Sequence, residues 1–289
     1  MRTKRVFLFF CIFLVSVLVT GGLWTEHTEH RAHVGPREPW QDLGAILEKH
    51  ELSDEDVALL WQQTGLREAG IRSLWSEGEQ QKLMVLQERL YAPVQIACAS
   101  NTPISREERI CSEQGELTFG KAFPTVEEGD ILISFNCHVL GWRSGHAALV
   151  VDTKQGLSLE ARVLGTDTAL ISLENWLRNP SVAVLRVRDK SREDRRAVAD
   201  YAREHLVGIP YDLLAWKGKE REEDAVEEVA SRVVPEGTHC AHLVWMAYNA
   251  FGIDLDSDGG WIVTPRDIYD CDQLEIVQVY GMATESLRE

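Results

Sequence analysis

The sequence is short of positive charge. Thirty Lys and Arg stand against 46 Asp and Glu, a formal net charge of -16. Phosphate backbones are repelled by such a chain, which excludes nucleic acid as a partner and broad binding to anionic surfaces with it. No Cys-x-x-Cys pair exists, so the spacing of a structural zinc site is missing. No internal repeat is visible. Nor is there an unbroken apolar run of the roughly 20 residues that span a bilayer. The longest such run, Val6 to Val19, follows Arg2, Lys4 and Arg5. A basic start before a short apolar core is the pattern of an export signal. No Ala-x-Ala cleavage site follows, only Gly21 and Gly22, so residues 1–22 read as a signal peptide or as an uncleaved signal anchor. Either way the remainder is expected outside the cytoplasm, secreted or membrane-anchored.

What is present begins with cysteine. Beyond the signal stand Cys98, Cys111, Cys137, Cys240 and Cys271, an odd set that leaves at least one free thiol. Cys98 and Cys111 are near enough in sequence to close a loop in an oxidising compartment. The alternative is that all are reduced and packed as small apolar residues. His27, His30 and His33 would share one face of a helix. They lack the carboxylate or cysteine ligands of a closed metal site, so residues 23–40 read as a hydrated linker.

Residues 41–120 are expected to form a helical N-terminal segment. Ser53 with Asp56 is an N-cap pattern, Gly65 a stop, and Leu60, Ile71, Leu74, Leu83 and Leu86 supply apolar faces. Pro93 ends the helical run, and residues 94–120 read as a connection. From residue 121 to 289 the pattern is mixed. Strands are expected over 130–135, 147–152, 157–161, 182–187 and 274–280, the second and third forming a hairpin across Lys154-Gln155-Gly156. Ser191 opens a helix to about Leu206, and Cys240 opens another that Gly252 stops. The charged stretch 217–228 reads as exposed. Strands and helices that do not alternate regularly give an α+β class.

The chemistry lies in an order. Gly145-His146-Ala147-Ala148-Leu149 comes before Thr238-His239-Cys240-Ala241-His242. A thiol attacks as thiolate, and a helix N-terminus and a nearby imidazolium both lower its pKa. Thr238 as N-cap would put Cys240 in the first turn, and His146 on a rigid strand could supply the imidazolium. Glu160, on the partner strand, could orient that histidine, since a carboxylate among apolar neighbours needs a partner. His239 and His242 also flank the thiol, but His239 precedes the helix and His242 points away from Cys240. Asp254-x-Asp256-x-Asp258-Gly259 opens like a calcium loop. Pro265 stands where the closing Glu belongs, so an acidic turn is the better reading and no metal is assigned.

Together, Gly129-Asp130-Ile131-Leu132, Gly145-His146-Ala147-Ala148-Leu149-Val150-Val151, Leu159-Glu160-Ala161, Pro210-Tyr211, and His239-Cys240-Ala241-His242-Leu243-Val244-Trp245 with Gly252-Ile253-Asp254-Leu255 resemble the NlpC-type cell-wall peptidase superfamily. In its common members the Cys segment comes first. The reversed order resembles the circularly permuted branch, which holds YiiX- and YycO-like proteins and the lecithin retinol acyltransferases. The resemblance covers about residues 125–280. It implies a permuted papain-like domain, with an antiparallel sheet packed on the Cys-bearing helix. It also implies Cys240 as nucleophile, His146 as base, Glu160 as third residue and Tyr211 beside the oxyanion, without a cofactor. Ala241 replaces the serine usual after the cysteine, and residues before 120 have no counterpart in that core. The expected function is an exported cysteine hydrolase of amide bonds, with cell-wall (peptidoglycan) peptide as substrate. The alternatives are a thiol acyltransferase or lipid esterase, and a non-catalytic binding module.

Overall fold

The computed structural model describes residues 2–28, 32–139, 141–217 and 236–282. His30 and most of the charged stretch 217–228 lie outside them. Helix α1 (Arg2–Thr28) carries the apolar run with its side chains exposed. Fourteen residues at about 1.5 Å each extend about 21 Å, well short of a hydrocarbon core of about 30 Å. No helix of the described residues is long and apolar enough to cross a membrane.

Four helices follow: α2 (Gly44–Leu47), α3 (Asp54–Thr64), α4 (Glu68–Ser76) and α5 (Lys82–Tyr91). Ser53 and Asp56 form a reciprocal capping box at the start of α3. Leu43, Leu60, Leu66, Ile71, Leu74, Leu83 and Leu86 bury their side chains among these helices. At Gly65 the chain takes a φ of 70°, and a Cβ there would meet the Val279 carbonyl oxygen at 2.1 Å. The glycine thus lets the helical segment close on the last strand, where Val279 donates to the Gly65 carbonyl and Arg67 to that of Val277.

Residues 94–120 are more than a connection. They hold strands β1 (Gln95–Thr102) and β2 (Ser105–Cys111), an antiparallel hairpin that continues into β4 (Cys137–Val139) and β5 (Trp142–Arg143) as a four-stranded sheet. The hairpin's register decides between a Cys98–Cys111 disulfide and reduced thiols. Cys98 faces Glu108 while Cys111 faces Gln95. Three residues of strand, about 10 Å, separate the two levels, beyond disulfide reach, and both thiols are free.

The second sheet is six-stranded and antiparallel, in the order β10-β9-β3-β6-β7-β8. Its strands are β3 (Ile131–Ser134), β6 (His146–Asp152), β7 (Leu157–Glu160), β8 (Ala169–Ser172), β9 (Val182–Val187) and β10 (Leu274–Tyr280). Both faces are covered, which explains why β3 and β6 read as continuous apolar runs. Ile131, Ile133, Ala147, Leu149 and Val151 pack with helices α6 (Arg192–His205) and α7 (Cys240–Asn249). Leu132, Ala148, Val150 and Val184 pack on the opposite face with Leu173 and Trp176 of a 3-10 turn (Leu173–Arg178). The period-2 alternation of strand side chains makes this division. A short helix α8 (Pro265–Tyr269) precedes β10.

Under the sheet, Asp130 is held by Arg186 through two contacts of 2.7 Å and by the Glu127 N–H. The Tyr248 hydroxyl donates to the Gly129 carbonyl, tying α7 to the start of β3. The mixed α+β class expected from the sequence is the class observed.

Candidate active site

Strand β6 begins with His146 because Gly145 turns the chain there. Its φ is 75°, and a Cβ would sit 2.9 Å from the Ser134 carbonyl oxygen. By alternation His146 shares the face of Ala148 and Val150, and Glu160 on β7 shares that face with Ser158. The two side chains meet: His146 Nε2 lies 2.9 Å from Glu160 Oε2. The other carboxylate oxygen accepts from Trp176 Nε1 at 2.8 Å and from Ser158 Oγ at 2.8 Å. The Trp176 ring also stacks on His146, centroids 5.4 Å apart and planes 14° from parallel. Ser158 and Trp176 were not singled out in the sequence. A tryptophan in a short 3-10 turn thirty residues after the histidine leaves no motif.

Cys240 is the first residue of α7. The N-cap is His239 rather than Thr238: its ring accepts from the His242 N–H at 3.4 Å. Thr238 instead bonds His242 Nδ1 at 3.0 Å, and His242 stacks on Trp245. Burial, then the neighbouring His239 ring, push the His242 ring down to about 3, so it is neutral and serves the interior.

The structure brings Cys240, His146 and Glu160 into one site. With Nε2 engaged by Glu160, the Nδ1 edge of His146 is left for the thiol. Burial opposes charge on Cys240, but the hydrogen bond and charge of His146, and after them the neighbouring His239 ring, bring the thiol down to about 5. Burial likewise opposes charge on His146, and its bonds to Cys240 and Glu160 carry it up to about 10. Burial would raise Glu160, yet the His146 bond and charge, with Ser158 and Trp176, hold it below the usual carboxylate range. At neutral pH the group is therefore a thiolate–imidazolium pair backed by a carboxylate.

Tyr211 stands close by. Residues 210–212 zip against Thr238 through Thr238 N–H to the Pro210 carbonyl and Asp212 N–H to that of Thr238. Burial and then the Cys240 charge raise the Tyr211 phenol, so it keeps its proton and can donate. Cys240, His146, His239 and Tyr211 line one cavity of about 550 Å³. Its walls are mostly apolar and come from both sheets and the loops between them: Ile104, Val139, Leu164, Leu213, Ile262 and Tyr269.

The candidate metal motifs are engaged otherwise. Among the described residues, Asp256, Asp258 and Asp267 bring carboxylate oxygens within 4.8 Å of one another. Asp256 already pairs with Lys217, and Asp267 caps α8 through Thr264. Asp254 accepts from Trp245 Nε1 at 2.8 Å. His33 is bonded to the Pro180 carbonyl and packs on Tyr280.

No family model and no curated protein matches this chain. Among solved structures, the crystal structure of metalloprotein yiiX from Escherichia coli O157:H7 is similar, with 18% sequence identity and a TM-score of 0.36. The match covers 52% of this chain and 96% of that one. A likeness of that size adds nothing to the site's geometry.

Proposed function

We propose that this chain is an exported cysteine hydrolase of the permuted NlpC-type branch, acting on amide bonds through an acyl-enzyme. The observation that carries this reading is the thiol at a helix N-terminus beside an imidazole whose far nitrogen is held 2.9 Å from a buried carboxylate. That is the arrangement nucleophilic catalysis needs: an activated nucleophile, a base and a group that orients the base. The Cys240 thiolate attacks the carbonyl carbon and the carbonyl π pair moves onto oxygen. As the oxyanion collapses, the C–N bond breaks and His146 delivers its Nδ1 proton to the leaving nitrogen. A thioester on Cys240 remains. His146, now neutral, takes a proton from water, and the hydroxide so formed releases the acid and the thiolate. Glu160 keeps the ring oriented and balances its charge through both states.

Cell-wall peptide is the substrate that the sequence motifs favour. An acyl lipid, cleaved as an ester or amide or transferred to another acceptor, is the second reading, and the apolar cavity favours it. An aliphatic chain fills the apolar part of such walls. Wild-type protein incubated with muropeptides and, separately, with N-acyl and O-acyl lipids decides between them. Product from either class that disappears in Cys240→Ala supports the hydrolase reading. Full turnover by Cys240→Ala would remove it.

A further inference from the structure

His239 lies outside the three-residue arrangement above, yet it is built into the same site. Its ring is buried, 6% exposed, and lines the cavity beside Cys240. One ring nitrogen, Nδ1, accepts the His242 backbone N–H, which completes the cap of α7. A nitrogen that accepts carries no proton, so this bond fixes the tautomer and places the hydrogen on Nε2. Nε2 is buried and has no hydrogen-bond partner. A buried donor without a partner costs free energy unless something else meets it. The ring that carries it lines the cavity in which a carbonyl bound over the Cys240 sulfur must stand.

We propose that His239 Nε2–H, together with the Cys240 backbone N–H at the start of α7, is the oxyanion donor of this site. The inference rests on the acyl-enzyme reading. When the sulfur bonds to the carbonyl carbon, the π pair moves onto oxygen, and Nε2–H donates to that oxygen without transferring its proton. When the C–N bond breaks the pair returns to the carbonyl, and the donor is ready for the second tetrahedral intermediate with water. The helix cap therefore has two uses: it satisfies a backbone donor and it aims a proton at the reaction.

Two reactions of one thiol separate this role from others. Acylation by a p-nitrophenyl acyl ester passes through an oxyanion, whereas alkylation by iodoacetamide does not. Both rates are measured on the full chain, on the pH plateau where the thiol is ionised. His239→Ser keeps a capping oxygen and loses the donor. The expected result is acylation slowed by about 10²–10³-fold, with alkylation changed less than about threefold. His239→Asn, also a good cap, repeats the measurement should the serine variant fail to fold. Acylation unchanged in both variants overturns the assignment. So does an equal fall in acylation and alkylation, which makes the ring a support for the thiolate alone. Wild-type protein that alkylates but never acylates overturns the hydrolase reading itself, and the oxyanion role with it.

Discussion

Among the described residues, two histidine–glutamate pairs stand next to a cysteine. In the six-stranded sheet His146 meets Glu160 at 2.9 Å beside Cys240. In the four-stranded sheet His138 meets Glu108 at 3.2 Å, and Cys137 is the next residue in the chain. The residue types are the same and the electrostatics are opposite. Glu108 is met at 2.8 and 3.1 Å by the Arg143 guanidinium, so its charge is already balanced. Glu160 is met by neutral donors, Trp176 and Ser158, and its one cationic neighbour besides His146 is Arg162 at 3.9 Å. Its negative charge is left to stabilise an imidazolium, and that imidazolium stabilises a thiolate. Cys137 has no such counter-ion. Burial, then the charges of Glu107 and Cys240, hold its thiol well above the ordinary range. A Cys, His and Glu in proximity are therefore not enough. What separates the two is a helix N-terminus under the sulfur and a carboxylate that no arginine hydrogen-bonds.

The largest expected difference between the two regions is in acyl-enzyme formation. Cys240→Ala should abolish the burst of p-nitrophenol, a loss of about 10⁴-fold or more. Cys137→Ala should retain the burst, and the reverse outcome would interchange the two sites. Next is the charge on the thiol. Replacing His146 with alanine lets the Cys240 pKa rise toward the ordinary value of about 8.5, so iodoacetamide labelling at pH 6 should fall on the order of 10²-fold. His138→Ala should alter it less than twofold. A smaller effect is expected at Trp176. Phenylalanine keeps the stack on His146 but removes the bond to Glu160, and acylation should slow about three- to tenfold with little change in KM. The smallest effect on rate, and the largest on stability, belongs to Glu108. Glu108→Gln leaves the buried Arg143 without its counter-charge and should lower unfolding stability by about 1–3 kcal/mol in urea titrations while acylation stays near wild type.

Five strands of the six-stranded sheet were legible because the sheet is buried on both faces; the edge strand β8, partly exposed along its length, was not. Strands at 182–187 and 274–280 stand where the apolar runs ended, and the hairpin that carries His146 and Glu160 follows from its turn. The four-stranded sheet was not. Strand β2 reads Ser-Arg-Glu-Glu-Arg-Ile-Cys, without an apolar face. It is held by paired charges, among them Glu107 with Arg109 and Glu108 with Arg143. Such pairing, within β2 and from it to β5, leaves no apolar periodicity to read. Cys240, His146 and Glu160 could be found because the helix start and the strand pair lie in local sequence. His239 was passed over for a similar reason. Threonine is the better N-cap by propensity, and the choice of histidine at that position is settled by the Thr238–His242 bond, which only the folded chain makes.

The most direct test is the ionisation of one thiol. In the Cys137→Ala background, the rate of carbamidomethylation at Cys240, located by mass spectrometry of the full-length protein, is followed from pH 4 to pH 10. The sign is set by the depressed thiol: the thiolate is present above its pKa and is protonated as pH falls through it. A half-maximal rate near pH 5, moving upward by two units or more in His146→Ala, is the expected result. A midpoint near 8.5 that His146→Ala leaves in place would contradict an activated Cys240.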